Sequence, residues 1–446
     1  MNRRAWVRLD NASSMFLAAL SDTDPKVFRM TAEMDHDVDP ELLQTALDMT
    51  FDRYPLYHSV LRRGVFWYYL QDSDLRPTVA AENEHTCASI YQADVRTLLF
   101  RVVYHRRRIN LEVFHALSDG TGALWFLTDL LREYVALASG ERSVHASAAV
   151  EDPLQLLEAD SFSEHFRTGT HARVGEKPAR NTERRGLGRF VGASTAKAYR
   201  ARGTRTPDNR TRLVEATMPV VDVLALARHE QVSLTSYLTA LFFQSIRAAG
   251  GAMDEAKMFG ASVPVNLRQL FPSTSARNFF TTVRLEHTYD AGHEDLGIAA
   301  RNLDVQLRQQ TTAHALRERV ERFMRFESMI VLRIVPVQIK NVMLGLLNRA
   351  SNRGLSVAVS NLGNIRLPEQ VAAHVTRMFF HVSAVRPQFC AVSCAGQLTV
   401  SFTSPFIDTD HVREFVRFLT ARGVPVQVAA SRVTDEEIQQ GSSDPR

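Results

Sequence analysis

The chain has 446 residues and a formal net charge of +4, and 45% of its residues are hydrophobic and 23% charged. This composition is ordinary for a globular protein and excludes a largely disordered chain. The three cysteines fit neither a disulfide framework nor a zinc-binding spacing, so we expect a reducing setting and no metal. Only five of the 53 basic residues are lysines, a bias typical of GC-rich genomes, so the charge alone does not indicate nucleic-acid binding.

The sequence shows neither the pattern of an N-terminal targeting signal nor that of a membrane-spanning segment. The first residues, Met1 to Trp6, are not followed by the long apolar run of a secretory signal. The most apolar segment, 329–347, is interrupted by Arg333, Pro336 and Lys340. We therefore expect a cytoplasmic protein without a transmembrane span, and peripheral contact with a membrane is left open.

The first 150 residues are predicted to form an α/β lobe. Apolar residues recur at helical spacing between Asp39 and Arg53, with Asp39 as the cap and Pro40 in the first turn. A second helix is predicted over Gly122–Leu137. Strands are predicted over Val27–Met34, Tyr57–Leu61, Val65–Leu70, Leu98–Tyr104 and Ile109–Phe114.

Residues 151–212 are predicted to be a basic crossover between two lobes. Phe166 to Arg212 carries 13 basic and three acidic residues and is punctuated by Gly and Pro. One interpretation is a solvated connector, and the other is a rim that attracts phosphates.

Residues 213–446 are predicted to form a second α/β lobe. Helices are predicted over Val221–His229, Leu234–Ala248, about 293–349 and Asp410–Thr420. Strands are predicted over Met258–Val265 and Phe280–Glu286 and near 355–360, 375–383, 389–394 and 397–403.

The segment Phe114-His115-Ala116-Leu117-Ser118-Asp119-Gly120-Thr121-Gly122 lies between a predicted strand and an amphipathic helix. A histidine at the end of a strand can project into a cleft, and a neutral imidazole is a suitable general base. Gly120 and Gly122 are expected to allow tight backbone conformations that hold Asp119 behind the histidine. The pattern H-x-x-x-D-G is weakly specific alone, because a structural histidine beside a turn would match it.

Three further segments add to this pattern. They are Trp6 to Ala12, Pro264-Val265-Asn266-Leu267-Arg268 with Arg277-Asn278-Phe279-Phe280, and Ser360-Asn361-Leu362-Gly363. Together with Phe114–Gly120 they resemble, in order, the motifs of the superfamily that contains chloramphenicol acetyltransferase and nonribosomal-peptide condensation domains. The chain looks most similar to the bacterial alcohol acetyltransferase-like group. Condensation domains have two adjacent histidines where this chain has Phe114 and His115, which argues against peptide condensation.

The resemblance implies two α/β sandwich lobes arranged in a V, with a tunnel at their interface and His115 in its middle. It implies an acyltransferase that moves an acyl group from acyl-CoA, or from a carrier protein acting in trans, to a hydroxyl or amine. The acceptor would be a small or lipid-like molecule, no cofactor would be tightly bound, and no acyl-enzyme would form. Donor phosphates would be attracted by the basic crossover, with Arg184 and Arg185 as candidates.

The resemblance also implies roles for the residues around His115. Asp119 and Gly120 complete the catalytic motif, and Asp119 is expected to pair with Arg268 across the lobe interface. Ser360, Asn361 and Gly363 are candidates for the oxyanion site or the tunnel wall, with Gly363 expected to allow a close backbone approach. Arg268 could instead be a surface arginine, and the Ser360 segment could simply turn a strand.

Two other functions compete with acyl transfer. The first is an inactive relative that serves as a binding or scaffolding protein, although the intact motif argues against it. The second is a metal hydrolase that uses His115 and Asp119 as ligands, but no third ligand accompanies them in a known spacing.

Overall fold

The computed structural model describes residues 6–9, 11–93, 95–140, 161–166, 197–206, 210–251, 256–290, 292, 294–327 and 335–431. Strands and helices alternate along most of this length, which confirms the predicted α/β class. Arg184 and Arg185 lie outside the described residues. The division at residues 150 and 212 stays a prediction.

The elements before residue 200 follow the predicted order, and the unpredicted strands β1 and β5 and the unpredicted helices α1 and α4 are added to it. The strands are β1 (Trp6–Arg8), β2 (Val27–Met34), β3 (Ser59–Arg63), β4 (Tyr68–Asp72), β5 (Ala80–Ala81), β6 (Phe100–His105) and β7 (Arg108–Phe114). The helices are α1 (Asn11–Ala18), α2 (Pro40–Phe51), α3 (Gly120–Ala138) and α4 (Ser161–Phe166).

The remaining elements have more and shorter helices than predicted. The strands are β8 (Arg212–Pro219), β9 (Lys257–Asn266), β10 (Phe280–Tyr289), β11 (Val357–Asn364), β12 (Val375–Val382), β13 (Gln388–Cys394), β14 (Gln397–Ser404) and β15 (Gln427–Ala430). The helices are α5 (Val220–His229), α6 (Leu234–Ala249), α7 (Leu296–Gln310), α8 (Ala313–Glu327), α9 (Val337–Ser351), α10 (Glu369–Ala372) and α11 (Asp410–Thr420).

Three sheets organise these strands. Their orders are β1-β4-β3, β12-β2-β7-β6-β5 and β10-β9-β11-β13-β14-β8-β15. The five-stranded sheet is built mainly from the first 114 residues, but its edge strand β12 comes from residues 375–382 and pairs antiparallel with β2. The late part of the chain therefore contributes directly to the sheet that carries the His115 segment.

A helix cap explains where α2 begins, and buried polar pairs explain how β2 can be fully buried. Asp39 begins α2, and its carboxylate accepts hydrogen bonds from the backbone N–H groups of Glu41 and Leu42. Every residue of β2 is buried, including three polar ones. Arg29 donates to Glu112 at 2.8 Å, and Thr31 donates to Asn110 at 2.7 Å, so the polar residues find partners within the sheet.

Two predictions about the second half are wrong in detail. The single helical stretch predicted over about 293–349 is interrupted after Gln310 and again before Val337. Pro336 lies directly before α9, as expected of a residue that lacks the backbone N–H. The strand β8 also falls where no strand is predicted, and it pairs with β14 inside the seven-stranded sheet.

Each large sheet has its own hydrophobic core. One core joins β2, β6, β7, α2 and α3 with residues 365–394, and the other joins α5, α6 and α7 with the seven-stranded sheet. All three cysteines are buried free thiols. Among the described residues, none of the helices combines the length and the apolar character needed to cross a membrane.

Candidate active site

His115 lies one residue beyond the end of β7. Its backbone N–H donates to the carbonyl of Lys26 at 2.8 Å, at the start of the neighbouring strand β2. Lys26 has a φ of +54°, in the left-handed region that non-glycine residues rarely adopt. A strained residue is thus hydrogen-bonded directly to the candidate base, a placement common at functional sites.

Aromatic rings fix the orientation of the His115 side chain. Phe16 stacks on the imidazole with ring centroids 4.0 Å apart and an interplanar angle of 17°. Phe28 meets the imidazole edge-on at 5.0 Å, and Phe280 lies at 5.6 Å. Asn278 donates its side-chain N–H to the His115 carbonyl at 2.8 Å and to Ser13 at 2.8 Å. The backbone and the ring are therefore both held in place.

The two ring nitrogens of His115 differ in environment. Nδ1 is buried and has no hydrogen-bond partner among the described residues, whereas the ring as a whole is partly exposed to a cavity. The accessible edge is therefore the Nε2 edge. Burial, opposed by the nearby Asp119 carboxylate, lowers the pKa of His115 to about 4. The imidazole is neutral at pH 7, so a lone pair can accept a proton.

Asp119 is the N-terminal cap of α3. Its Oδ1 accepts from the backbone N–H groups of Thr121 at 3.1 Å and Gly122 at 3.0 Å. Its Oδ2 accepts from Arg268 at 2.6 Å and from the backbone N–H of Phe279 at 2.8 Å. Both oxygens are thus committed to structural hydrogen bonds, which leaves the carboxylate unsuited to proton transfer.

Arg268 connects the motif to the segment before β10. Besides the Asp119 contact, its other terminal nitrogen donates to the carbonyls of Ser275 at 2.8 Å and Arg277 at 2.6 Å. Its guanidinium also lies 5.3 Å from the centre of the Trp125 ring. Both side chains of the ion pair are only 6% exposed, so Arg268 is not a surface arginine.

The glycines of the motif matter because they lack a side chain, which leaves room for neighbouring atoms, and not because of unusual backbone angles. Neither Gly120 nor Gly122 has a positive φ, so the expectation of special conformations is wrong. A Cβ on Gly122 would lie 2.2 Å from the Ala276 carbonyl oxygen and 2.4 Å from the Ser118 hydroxyl. A Cβ on Gly120 would lie 3.1 Å from the Leu362 side chain. The segment before β10 can therefore pack closely only on glycine at position 122.

A cavity of about 1110 Å³ adjoins the motif. Its wall includes His115, Gly120 and Thr121 from the motif and the aromatic rings of Phe16 and Phe280. A second cavity of about 540 Å³ lies beside Trp125 and shares Leu362 with the first. The larger cavity is the one with access to the His115 ring.

The oxyanion candidates occupy different positions. Ser360 and Asn361 line the larger cavity from the middle of β11. The Asn361 amide already donates to Thr235 at 3.0 Å and accepts from the Gly363 N–H at 2.8 Å, whereas the Ser360 hydroxyl makes no hydrogen bond to the described residues. Gly363 has a φ of +74°, in the left-handed region that favours glycine, and the space around it is open, so its part in the oxyanion site stays a prediction.

Sequence reasoning gave no role to the residues that contact His115, of which Phe16 and Asn278 are the most informative. Phe16 follows the N-terminal motif that ends at Ala12, and no pattern in the sequence connects it to the histidine. Asn278 lies inside the segment Arg277-Asn278-Phe279-Phe280, for which the family resemblance implies no individual role. The available sequence signal for such a role was a polar residue, Asn278, directly before two apolar residues, Phe279 and Phe280.

The arrangement does not favour a metal site at the motif. Among the described residues, one cluster has ligand atoms close enough to share an ion, and it consists of Asp35, His36 and His374. His115 and Asp119 are not part of it. Because both Asp119 oxygens are engaged, the hydrolase alternative loses one of its two ligands.

Comparison with solved structures identifies the fold. The chain has the fold of solved condensation domains and of an acetyltransferase, which confirms the predicted fold. No protein-family model and no curated protein sequence matches the chain.

Three structures illustrate this likeness. Trichothecene 15-O-acetyltransferase TRI3 from Fusarium sporotrichioides has a TM-score of 0.62 at 11% identity, over 94% of each chain. Polyketide synthase associated protein 5 from Mycobacterium tuberculosis has a TM-score of 0.58 at 15% identity, over 92% of this chain and 96% of that one. A mutant starter condensation domain of rhizomide synthetase, in complex with C8-CoA, has a TM-score of 0.57 at 14% identity, over 94% of each chain. At identities this low, the likeness establishes the fold alone.

Proposed function

We propose that the protein is an acyltransferase that moves an acyl group from a thioester to a hydroxyl or amine, with His115 as the general base. The observation that carries the proposal is the neutral His115 ring, whose accessible edge faces a cavity large enough for two substrates. The same chain's fold relatives include an acetyltransferase and a condensation domain bound to C8-CoA.

The proposed reaction needs one proton to move twice. His115 Nε2 accepts the proton of the acceptor O–H or N–H as the acceptor oxygen or nitrogen attacks the thioester carbonyl. The tetrahedral intermediate then collapses, the C–S bond breaks, and the leaving thiolate takes the proton from the imidazolium. The enzyme itself is not acylated, and no cofactor takes part.

The negative charge on the tetrahedral intermediate requires a hydrogen-bond donor. Ser360 is the better of the two cavity-lining candidates, because its hydroxyl is uncommitted while the Asn361 amide is already bonded at both ends. In this proposal Asp119 and Arg268 hold the motif in shape, and Gly120 and Gly122 allow its packing. An alcohol acceptor, as in alcohol O-acetyltransferases, is the specific form of the reaction that we favour.

A thiol-release screen tests the proposal. Purified protein is mixed with acyl-CoAs of several chain lengths and with panels of alcohols and amines. Acceptor-dependent release of free thiol is expected for at least one pair, with no increase in the intact protein mass when acyl-CoA is added alone. A covalent acyl adduct would contradict the direct-transfer mechanism. Binding of acyl-CoA without any transfer would favour the scaffolding alternative.

A further inference from the structure

Asp35, His36 and His374 form a cluster at the end of β2 that is remote from His115. The His115 N–H bonds to Lys26, directly before β2, whereas Asp35 directly follows this strand. The strand has eight residues, so at about 3.3 Å per residue it spans about 26 Å. The cluster is therefore separate from the candidate active site, and the proposed acyl transfer does not use it.

Backbone pairing between β2 and β12 brings the cluster together. Met34 pairs with Val375 at the end of the antiparallel ladder, so Asp35 and His374 are the next facing positions. The Asp35 N–H donates to the His374 carbonyl at 2.9 Å, and the His374 N–H donates to the Val371 carbonyl at 3.0 Å. Asp35 and His374 are 339 positions apart in sequence, so no local spacing could reveal them as a pair.

Two imidazole rings converge on one carboxylate in this cluster. His36 Nδ1 lies 2.5 Å from one Asp35 oxygen, and His374 Nδ1 lies 3.1 Å from the other. One ligand atom from each of the three side chains lies within 4.8 Å of the other two. In a tetrahedral zinc site with bonds of about 2.0–2.2 Å, neighbouring ligand atoms are about 3.4 Å apart. Small side-chain rotations are therefore enough to place one ion among the three groups.

Tyr134 holds the His36 ring in position. The two rings are nearly parallel, with an interplanar angle of 11° and centroids 5.9 Å apart. His36 Nε2 lies 3.4 Å from the Tyr134 hydroxyl, whose oxygen also accepts the Asp39 N–H at 3.0 Å. Because a hydroxyl oxygen has two acceptor sites, it can accept the Nε2–H as well. Nδ1 then carries a lone pair on the side of Asp35, and a hydrogen bond from the second nitrogen is usual for a histidine that binds a metal.

We propose that Asp35, His36 and His374 bind a divalent transition-metal ion, and that zinc is the ion that fits best. Two imidazole nitrogens and one carboxylate oxygen are typical zinc ligands, whereas magnesium and calcium prefer oxygen ligands alone. The three side chains are 38% to 43% exposed, so the ion can enter from solvent and keep a water in its remaining position. The bound ion links the end of β2 to the start of β12 and so stabilises the attachment of the late part of the chain to the five-stranded sheet.

Titration with zinc tests the site without any reference to catalysis. The full chain is treated with EDTA, dialysed and titrated with ZnCl₂ by calorimetry. Wild type should bind one equivalent, and His374→Ala and Asp35→Ala should each bind zinc at least about 10-fold more weakly. The loss should be at least this large because removing a group that only supports a metal ligand already costs about 10-fold or more. Excess Mg²⁺ should not displace the zinc, since it disfavours nitrogen ligands.

His229→Ala is the matched control for the two variants. His229 is exposed, and its Nδ1 lies 3.4 Å from the Glu230 carboxylate, so it forms a surface histidine–carboxylate pair. In the part of the chain that the structure describes, this pair does not belong to a cluster with three possible ligands. The control should therefore keep the zinc affinity and stoichiometry of wild type. An equal loss of affinity in His229→Ala and His374→Ala would overturn the proposal.

The melting temperature provides a second measurement. An ion that binds only the folded chain raises its melting temperature, so zinc should stabilise wild type and His229→Ala but neither His374→Ala nor Asp35→Ala. Without zinc all four proteins should melt at nearly the same temperature, because the replaced side chains are exposed. Wild type that binds no zinc, or that releases it to Mg²⁺, would overturn the proposal and leave the two histidines as hydrogen-bond partners of Asp35.

Discussion

The Asp119–Arg268 pair provides a quantitative test of how the motif is held together. The change Asp119→Asn keeps an oxygen that can cap α3, but it removes the charge and turns an amide N–H₂ toward Arg268 and the Phe279 N–H. Because both partners are only 6% exposed, the change leaves a buried guanidinium without its anion. Breaking such a pair typically costs about 3–5 kcal/mol of the free energy of unfolding.

Arg268→Met should destabilise the fold by a similar amount, because it removes the ion pair and two hydrogen bonds to backbone carbonyls. The double variant should lose less than the sum of the single losses, with a coupling of about 1–3 kcal/mol. Urea unfolding is followed by tryptophan fluorescence, since Trp125 lies against the Arg268 guanidinium.

Asp295→Asn is the matched control for this cycle. Asp295 caps α7 through the Gly297 N–H in the same way, and Asn caps a helix about as well as Asp, so the change should cost only tenths of a kcal/mol. Strictly additive losses for Asp119→Asn and Arg268→Met would refute the role of the pair as one interacting unit.

Three further predictions concern the site. Gly122→Ala should destabilise the fold by at least about 1–3 kcal/mol in urea unfolding, because its Cβ would overlap the Ala276 carbonyl oxygen, and a smaller loss would show that the packing can relax. Ser360→Ala should lower kcat about 100-fold with little change in KM. Ser262→Ala, which changes a serine on another strand of the same cavity, should leave kcat unchanged. Equal effects of the two changes on kcat would exclude Ser360 as the oxyanion donor. The pKa of His115 is lowered in the folded state, so folding disfavours protonation of its ring. As the pH falls below about 6.5, the pKa of histidine in the unfolded chain, this group lowers the free energy of unfolding, by roughly 3 kcal/mol at pH 4. Activity should therefore be flat from about pH 5 to 8 and fall with a midpoint near 4, and a midpoint near 7 in the pH–rate profile would contradict this assignment.

The local part of the site could be predicted from sequence. The helix start after Asp119 and the strand before His115 are local patterns. The pairing of Asp119 with Arg268 at 2.6 Å joins residues 149 positions apart, and it was expected from the family resemblance and not from a local pattern. Local patterns succeed here because strand and helix periodicity and capping depend on a few neighbouring residues.

The non-local part could not be predicted. β12 joins the five-stranded sheet from 341 residues away from β2, counting from Met34 to Val375, and no periodicity encodes that pairing. β8 was hidden because Glu215 and Thr217 interrupt its apolar character, yet both are buried, and Glu215 bonds to Arg108 and His381. The stacking of Phe16 on His115 depends on the same tertiary arrangement.

The most direct test of the central claim is the loss of transfer activity on replacing His115. With a working donor and acceptor pair, His115→Ala should release thiol about 10²–10⁴-fold more slowly than wild type, while its melting temperature stays close to that of wild type or rises. His105→Ala, at the exposed last residue of β6, is the matched control and should keep the full rate. A folded His115→Ala protein that retains more than about a tenth of the wild-type rate would contradict the role of His115 as the general base.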